Sequence, residues 1–262
     1  AVALLRRGRP FLAGFALGWA GLLRVFPLLF WAGPLVMLAR DLAARKGVSL
    51  ARRRLLLGGL CAACTLLPAA SVALGPRSFA QFFDHVTMHA QTPIDNHMSL
   101  RSLFSYVPQE RRRADADRVV VGVPDAWTAA RQERLRALEP WFVLASGALL
   151  ALFVACVWRL RTPWLGVVLS LLPVIVLTDP SCYYFSMYVI AVALGRARRS
   201  LEVTTVGLAA IGQFVALRCA SAEALYVALA AVYVVFSTIL VVMFVRPPRG
   251  WGASGAPRPK TS

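Results

Sequence analysis

Residues 11–39 read FLAGFALGWAGLLRVFPLLFWAGPLVMLA, an apolar run of 29 residues in which Arg24 is the only charge. An apolar stretch of about 20 residues is long enough to cross a bilayer as a helix. An arginine held at that depth costs roughly 2.5–3.5 kcal/mol on insertion scales, so it normally faces a polar cavity, an ion pair or an anion. Pro27 follows three residues later. Proline removes a backbone donor and pushes its predecessor out of the helical region, so a break is predicted between Arg24 and Pro27. The run is therefore either two short arms with Arg24 at their apex or one long helix kinked at mid-membrane. Two arms of about 13 residues would span about 20 Å each.

The rest of the chain has the same character. Apolar residues make up 58% of the 262, and the mean hydropathy is +0.64. Ordinary soluble domains hold about 45–50% apolar residues. Further spans are predicted at 55–74, with a kink at Pro68, and at 141–158, 164–177, 182–194, 203–217 and 224–245. Residues 1–10, with Arg6, Arg7 and Arg9, read as a loop. Residues 76–139 form a long polar loop inserted between spans, and its stretches 109–118 and 126–138 read as solvated. The fold expected is an all-α polytopic transmembrane bundle, one membrane domain over 1–245, followed by a disordered basic tail over 246–262. No internal repeat is visible.

The net charge of +17 raises the question of nucleic acid. The arginines flank the apolar runs instead of lining one stripe, which points to membrane lipid headgroups and excludes a nucleic-acid partner. Arg40, Arg45, Lys46, Arg52, Arg53 and Arg54 outweigh the single acid Asp41 in the 40–54 connection, so that end is expected to be cytoplasmic. Alternation then places Arg159, Arg161, Arg196, Arg198, Arg199 and the tail inside, and the 76–139 loop, Asp179–Ser181 and Arg218–Glu223 outside. With Arg6–Arg9 also inside, Arg24 falls near the outer leaflet; as one kinked helix the run would instead hold Arg24 at mid-membrane with residues 1–10 outside. The expected localisation is the cell membrane, multi-pass. Cys61 and Cys64 have the spacing of a redox or metal pair, but they lie in an apolar run with no second pair and read as packing.

Three polar segments are expected at the outer end. These are Arg24 with Pro27, the start of the long loop from Phe82 to Tyr106, and the turn Asp179-Pro180-Ser181-Cys182-Tyr183-Tyr184. Phe79, Phe82, Phe83, Phe104 and Tyr106 give the loop an interfacial character. His85 and His89 share a helical face near Asp84, a pattern open to packing, substrate contact or a metal. Asn96 and Ser99 suit a helix cap before Leu100, or equally contacts to sugar hydroxyls, with His97 beside them and Arg101 near a phosphate. Asp179 is either a cap for the helix after Ser181 or a substrate contact; Tyr183 and Tyr184 are interfacial anchors or substrate contacts. No metal site and no cofactor is assigned.

Three of these stretches resemble glycosyltransferase family 87. Gly18-Trp19-Ala20-Gly21-Leu22-Leu23-Arg24-Val25-Phe26-Pro27-Leu28-Leu29 is similar to that family's stretch of basic residue, x, aromatic, Pro, Leu-Leu. Asn96-His97-Met98-Ser99-Leu100 resembles its Asn-Gln-Ser-Leu segment, with His97-Met98 in place of one Gln. Thr178-Asp179-Pro180-Ser181-Cys182-Tyr183-Tyr184 is similar to its late Ser-Pro-x-Ser-Trp-x-His turn, whose Trp and His are absent here. The pieces occur in the family's order. The resemblance implies an integral-membrane transferase of the C-type superfamily, a GT-C-like bundle that moves a hexose, often mannose, from a polyprenyl-phosphate-linked donor to a glycan or lipid acceptor on the outer face. Arg24 and Arg101 would bind the donor phosphate, and Asn96, His97, Ser99, Asp179 and Tyr183 the substrate. The family's catalytic acid is expected in an early outer loop, upstream of residue 1, so neither Asp84 nor Asp95 is assigned as base. A membrane transporter or a non-catalytic membrane scaffold is the competing reading. An upstream outer loop carrying Asp or Glu would favour the transferase.

Overall fold

The structure, a computed structural model, describes residues 1–45, 47–91, 96–107, 126–195, 199–219 and 221–245. Lys46, Asp95, the stretch 109–118, Arg196, Arg198, the tail 246–262 and the side chains of His89 and Arg199 lie outside the described residues. The described residues form helices and no strand beyond one isolated bridge. The chain is an all-α membrane helix bundle. Among the described residues five helices are long and apolar enough to cross a membrane, and three shorter apolar segments accompany them.

The run that opens the sequence is broken where Pro27 requires it. Helix α2 spans Pro10–Leu23, a 3₁₀ turn covers Phe26–Trp31, and α3 spans Ala32–Ala43. Arg24 at the end of α2 is extended, with φ −149° and ψ 138°. The next long helix, α4 (Leu50–Leu74), runs parallel to α2 and touches it. A Cβ built on Gly14 would stand 1.8 Å from the Leu55 carbonyl oxygen, and one on Gly18 would stand 2.9 Å from the Ala62 Cβ. Small residues let backbones approach closely in a membrane, where no hydrophobic force drives helices together. Because α2 and α4 are parallel, the chain between them must return, so Arg24 sits at the apex of two arms. Continuing the register of that pair puts Arg24 level with Leu67 and Pro68, about 10 Å short of the end of α4. Helix α4 continues through Pro68.

After α4 come α5 (Arg77–Gln91), the short α6 (Leu100–Ser105), α7 (Ala126–Ala137) and α8 (Glu139–Arg159). Helices α9 (Pro163–Leu169) and α10 (Leu171–Leu177) form the hub, with every residue from Trp164 to Val176 buried. A helix that is apolar all round belongs in the centre of a bundle. Their junction, Ser170, is fully buried; its Oγ donates to the Gly166 carbonyl (2.8 Å) and accepts from the Gly33 amide (3.0 Å). That amide lies in the first turn of α3, where backbone donors lack helical partners. A 3₁₀ segment, Cys182–Leu194, then leads to α11 (Arg199–Arg218) and α12 (Ala222–Val245). Tyr188 and Ser237 share a hydrogen bond of 2.7 Å between this segment and α12.

Side-chain contacts sort the helix ends into two sets. At the basic end, Arg6 lies over the Trp164 ring at 5.4 Å, Arg40 donates to the carbonyls of Trp158 (3.0 Å) and Leu160, and Arg159 reaches the Val245 carbonyl at 3.5 Å. Asp41 is buried between Arg40 (2.9 Å) and Arg52. Three sequence expectations change here. Residues 1–10 are not simply a loop, because α1 (Val2–Arg6) packs beside α9. Arg40, Asp41 and Arg52 belong to helices and fasten α3 to α4, so the connection is shorter than 40–54. The stretch from 126 to 138 is not a solvated insertion, since Trp127 and Arg131 are 8% and 2% exposed.

Candidate functional site

The opposite end gathers the three polar segments. Pro27 cannot donate to α2, so the helix stops at Leu23 and the Arg24 side chain leaves the helix face. Arg24 is exposed, and its guanidinium stands 5.7 Å from the Tyr184 ring centroid. The Phe26 ring lies 4.5 Å from Tyr184 on the same side of the break, and the Tyr183 ring lies 4.3 Å from it. A cation over an exposed ring is worth about 0.5–1 kcal/mol, enough to orient a guanidinium and too little to neutralise it. Among the described residues no carboxylate pairs with Arg24.

The second and third segments bind each other through their backbones. The Met98 amide donates to the Pro180 carbonyl (3.0 Å), and the Cys182 amide donates to the Asn96 carbonyl (3.0 Å). These bonds make His97 and Ser181 an antiparallel bridge pair. Irregular backbone beside a membrane core needs such partners, because its polar groups are costly to leave bare. Side chains complete the junction. Ser99 caps α6 by accepting from the Ser102 amide at 3.0 Å, as its spacing from Leu100 suggests. The same hydroxyl donates to Asp179 in a close hydrogen bond, and an Arg101 Nη lies 3.5 Å from the other Asp179 oxygen.

The site residues therefore differ in what they offer. Ser99 is fully buried and spends its hydroxyl inside the protein. Asp179 does not cap the 3₁₀ segment, whose first residue follows Ser181 without a side-chain cap bond; it takes Ser99 and Arg101 instead. The Asn96 Oδ1 atom is buried and has no hydrogen-bond partner, an unsatisfied acceptor beside the junction. Tyr183 is 63% exposed and open to the surroundings. His85 lies on α5, where its Nδ1 is 2.6 Å from the Gln81 carbonyl.

One cluster at this end is not visible in the sequence reading. Arg131 of α7 pairs with Glu223 of α12 at 3.4 Å and donates to the Ser105 hydroxyl of α6 at 2.9 Å. Trp127, one turn earlier on α7, donates to Glu223 at 3.2 Å and stacks under Arg131 at 4.8 Å. The short helix α6 is thereby held at both ends, by Asp179 at Ser99 and by Arg131 at Ser105. The available signal was the placing of acids: Asp41, Asp179 and Glu223 each stand at the edge of an apolar run in an arginine-rich chain.

No family model, no curated protein and no solved structure matches this chain.

Proposed function

We propose that this chain is an integral-membrane glycosyltransferase of the cell membrane, multi-pass, which takes a hexosyl unit from a polyprenyl-phosphate-linked donor on the extracytoplasmic face. The observation that carries the reading is the meeting of Arg24 with the Asn96–Arg101 and Asp179–Tyr184 segments at one end of the bundle. Arg24 has the chemistry for the donor phosphate: it keeps its charge, has no carboxylate partner among the described residues, and presents two parallel donors. Asn96 Oδ1 offers a buried acceptor to a sugar hydroxyl. Arg101, 41% exposed at its side chain, already shares its charge with Asp179 and is the secondary cation.

In the transfer, an acceptor hydroxyl oxygen bonds to the anomeric carbon as the bond from that carbon to the phosphate oxygen breaks. The electron pair leaves with the polyprenyl phosphate, where Arg24 stabilises the added charge. The hydroxyl proton passes to a base that is not assigned to a residue of this sequence. Asp179 is engaged by Ser99 and Arg101, which makes it a positioning group. The acceptor is a glycan or lipid of the cell envelope. The test is sugar transfer by the whole protein in nanodiscs from a polyprenyl-phosphate-linked hexose. Arg24→Leu is expected to abolish transfer while the protein remains folded, and Arg24→Lys to retain part of it. Full activity of Arg24→Leu would refute the assignment. No transfer by the unsubstituted protein from any such donor would return it to the transporter or scaffold class.

A further inference from the structure

Helix α5 places Phe79, Phe82, Phe83 and Val86 at spacings of three, one and three residues. Those spacings put all four on one face of a helix. The other side carries Arg77, Gln81, Asp84 and His85, with Met88 the apolar exception. Fifteen residues make a cylinder about 22 Å long. Among the described residues its apolar face is only partly covered: Phe83 is 65% exposed and Phe82 39%, their rings 5.8 Å apart, while Phe79 and Val86 are half-buried.

What covers that face is shown by what it adjoins. Helix α4 is a 25-residue apolar span, and its last turn presents Val72 and Leu74 at 89% and 73% exposure. Such residues at the end of a membrane helix face lipid. Gly75 then takes a φ of 80° and ψ of 154°, which stops the helix, and Pro76 leads straight into α5. A two-residue turn thus joins the exposed last turn of α4 to the helix that carries the phenylalanine face. Three polar side chains of α5 bond nearby carbonyls: Ser78 that of Gly75, Thr87 that of Phe83, and His85 that of Gln81.

We infer that α5 is an in-plane membrane helix, inserting Phe79, Phe82, Phe83 and Val86 into the leaflet at the end of the bundle that holds Arg24 and Asp179. Between Arg77 and Met88 it carries one arginine and one aspartate, so its insertion is driven by apolar surface and not by anionic lipid. This inference stands whether or not the protein transfers sugar.

The experiment is a nitroxide scan of positions 78 to 88 in a cysteine-free background, reconstituted in nanodiscs of zwitterionic phosphatidylcholine. Oxygen accessibility should peak at 79, 82, 83 and 86, and accessibility to a water-soluble nickel chelate should peak at 81, 84 and 85. The pattern should be unchanged by anionic lipid or by salt. Nickel access at every position would overturn the inference in favour of a solvated helix. Shielding of 82 and 83 from both reagents, with spin–spin broadening, would overturn it in favour of a second copy of the chain. The unsubstituted protein gives an independent measure with a photoactivatable phosphatidylcholine. Adducts should map to Phe82 and Phe83, and adducts confined to α4 would contradict the inference.

Discussion

Ser99 and Asp179 show how one hydroxyl joins two distant stretches of chain. Ser99→Ala removes a helix cap worth about 1 kcal/mol and a hydrogen bond to a charged group worth about 1.5–3 kcal/mol. The expected loss is about 2.5–4 kcal/mol of stability, read as a lower midpoint of thermal unfolding in nanodiscs. Ser99→Thr, which keeps the hydroxyl, should restore most of it. A loss of only about 1 kcal/mol would mean that the cap alone matters and that the bond to Asp179 contributes nothing. The capping half of this arrangement was legible in Asn96-His97-Met98-Ser99-Leu100, because local spacing determines a cap. The Asp179 half was not, because a bond across 80 residues leaves no periodic trace in sequence. Arg131 was missed for the same reason. Its amphipathic stretch looks solvated until Glu223 arrives from α12 to neutralise it.

At the scale of elements, the break at Arg24–Pro27 was readable because proline acts on its own neighbours. Whether the two arms return or continue was left open, since that depends on which helix lies alongside. The α2–α4 pair settles it by running parallel, through contacts so close that Gly14 has room for no side chain. Gly14→Ala would place a methyl 1.8 Å from the Leu55 carbonyl oxygen. Overpacking of a close interface costs about 1–3 kcal/mol, and here the obstacle is backbone, which cannot swing aside. Thermal unfolding of Gly14→Ala should therefore fall, whereas Gly147→Ala, whose added carbon meets nothing within 4 Å, should be neutral. Equal behaviour of the two variants would argue against the close parallel pairing.

For the whole molecule, apolar runs and their basic flanks were sufficient to predict a helical membrane bundle, because burial in lipid requires long uninterrupted segments. The division of helix ends into two sets follows the same alternation, with arginines crowded at one. The positive-inside rule predicts that this end is cytoplasmic. A single cysteine at Gly47 should react with an impermeant maleimide only after the cell is opened, and one at Ala129 should react from outside. The reverse pattern would invert the orientation and with it the face on which Arg24 lies.

Arg24 carries the functional proposal, and lipid binding tests it without requiring turnover. The whole protein in nanodiscs or detergent is offered polyprenyl phosphate and, separately, the uncharged polyprenol, and retention is read by native mass spectrometry. The unsubstituted protein should retain the phosphate in preference to the alcohol. Arg24→Leu should lose that preference, by about tenfold or more if one charge-assisted hydrogen bond of about 1.5–3 kcal/mol is removed. Arg24→Lys should fall between them. Undiminished preference for the phosphate in Arg24→Leu would contradict the assignment of Arg24 to the donor.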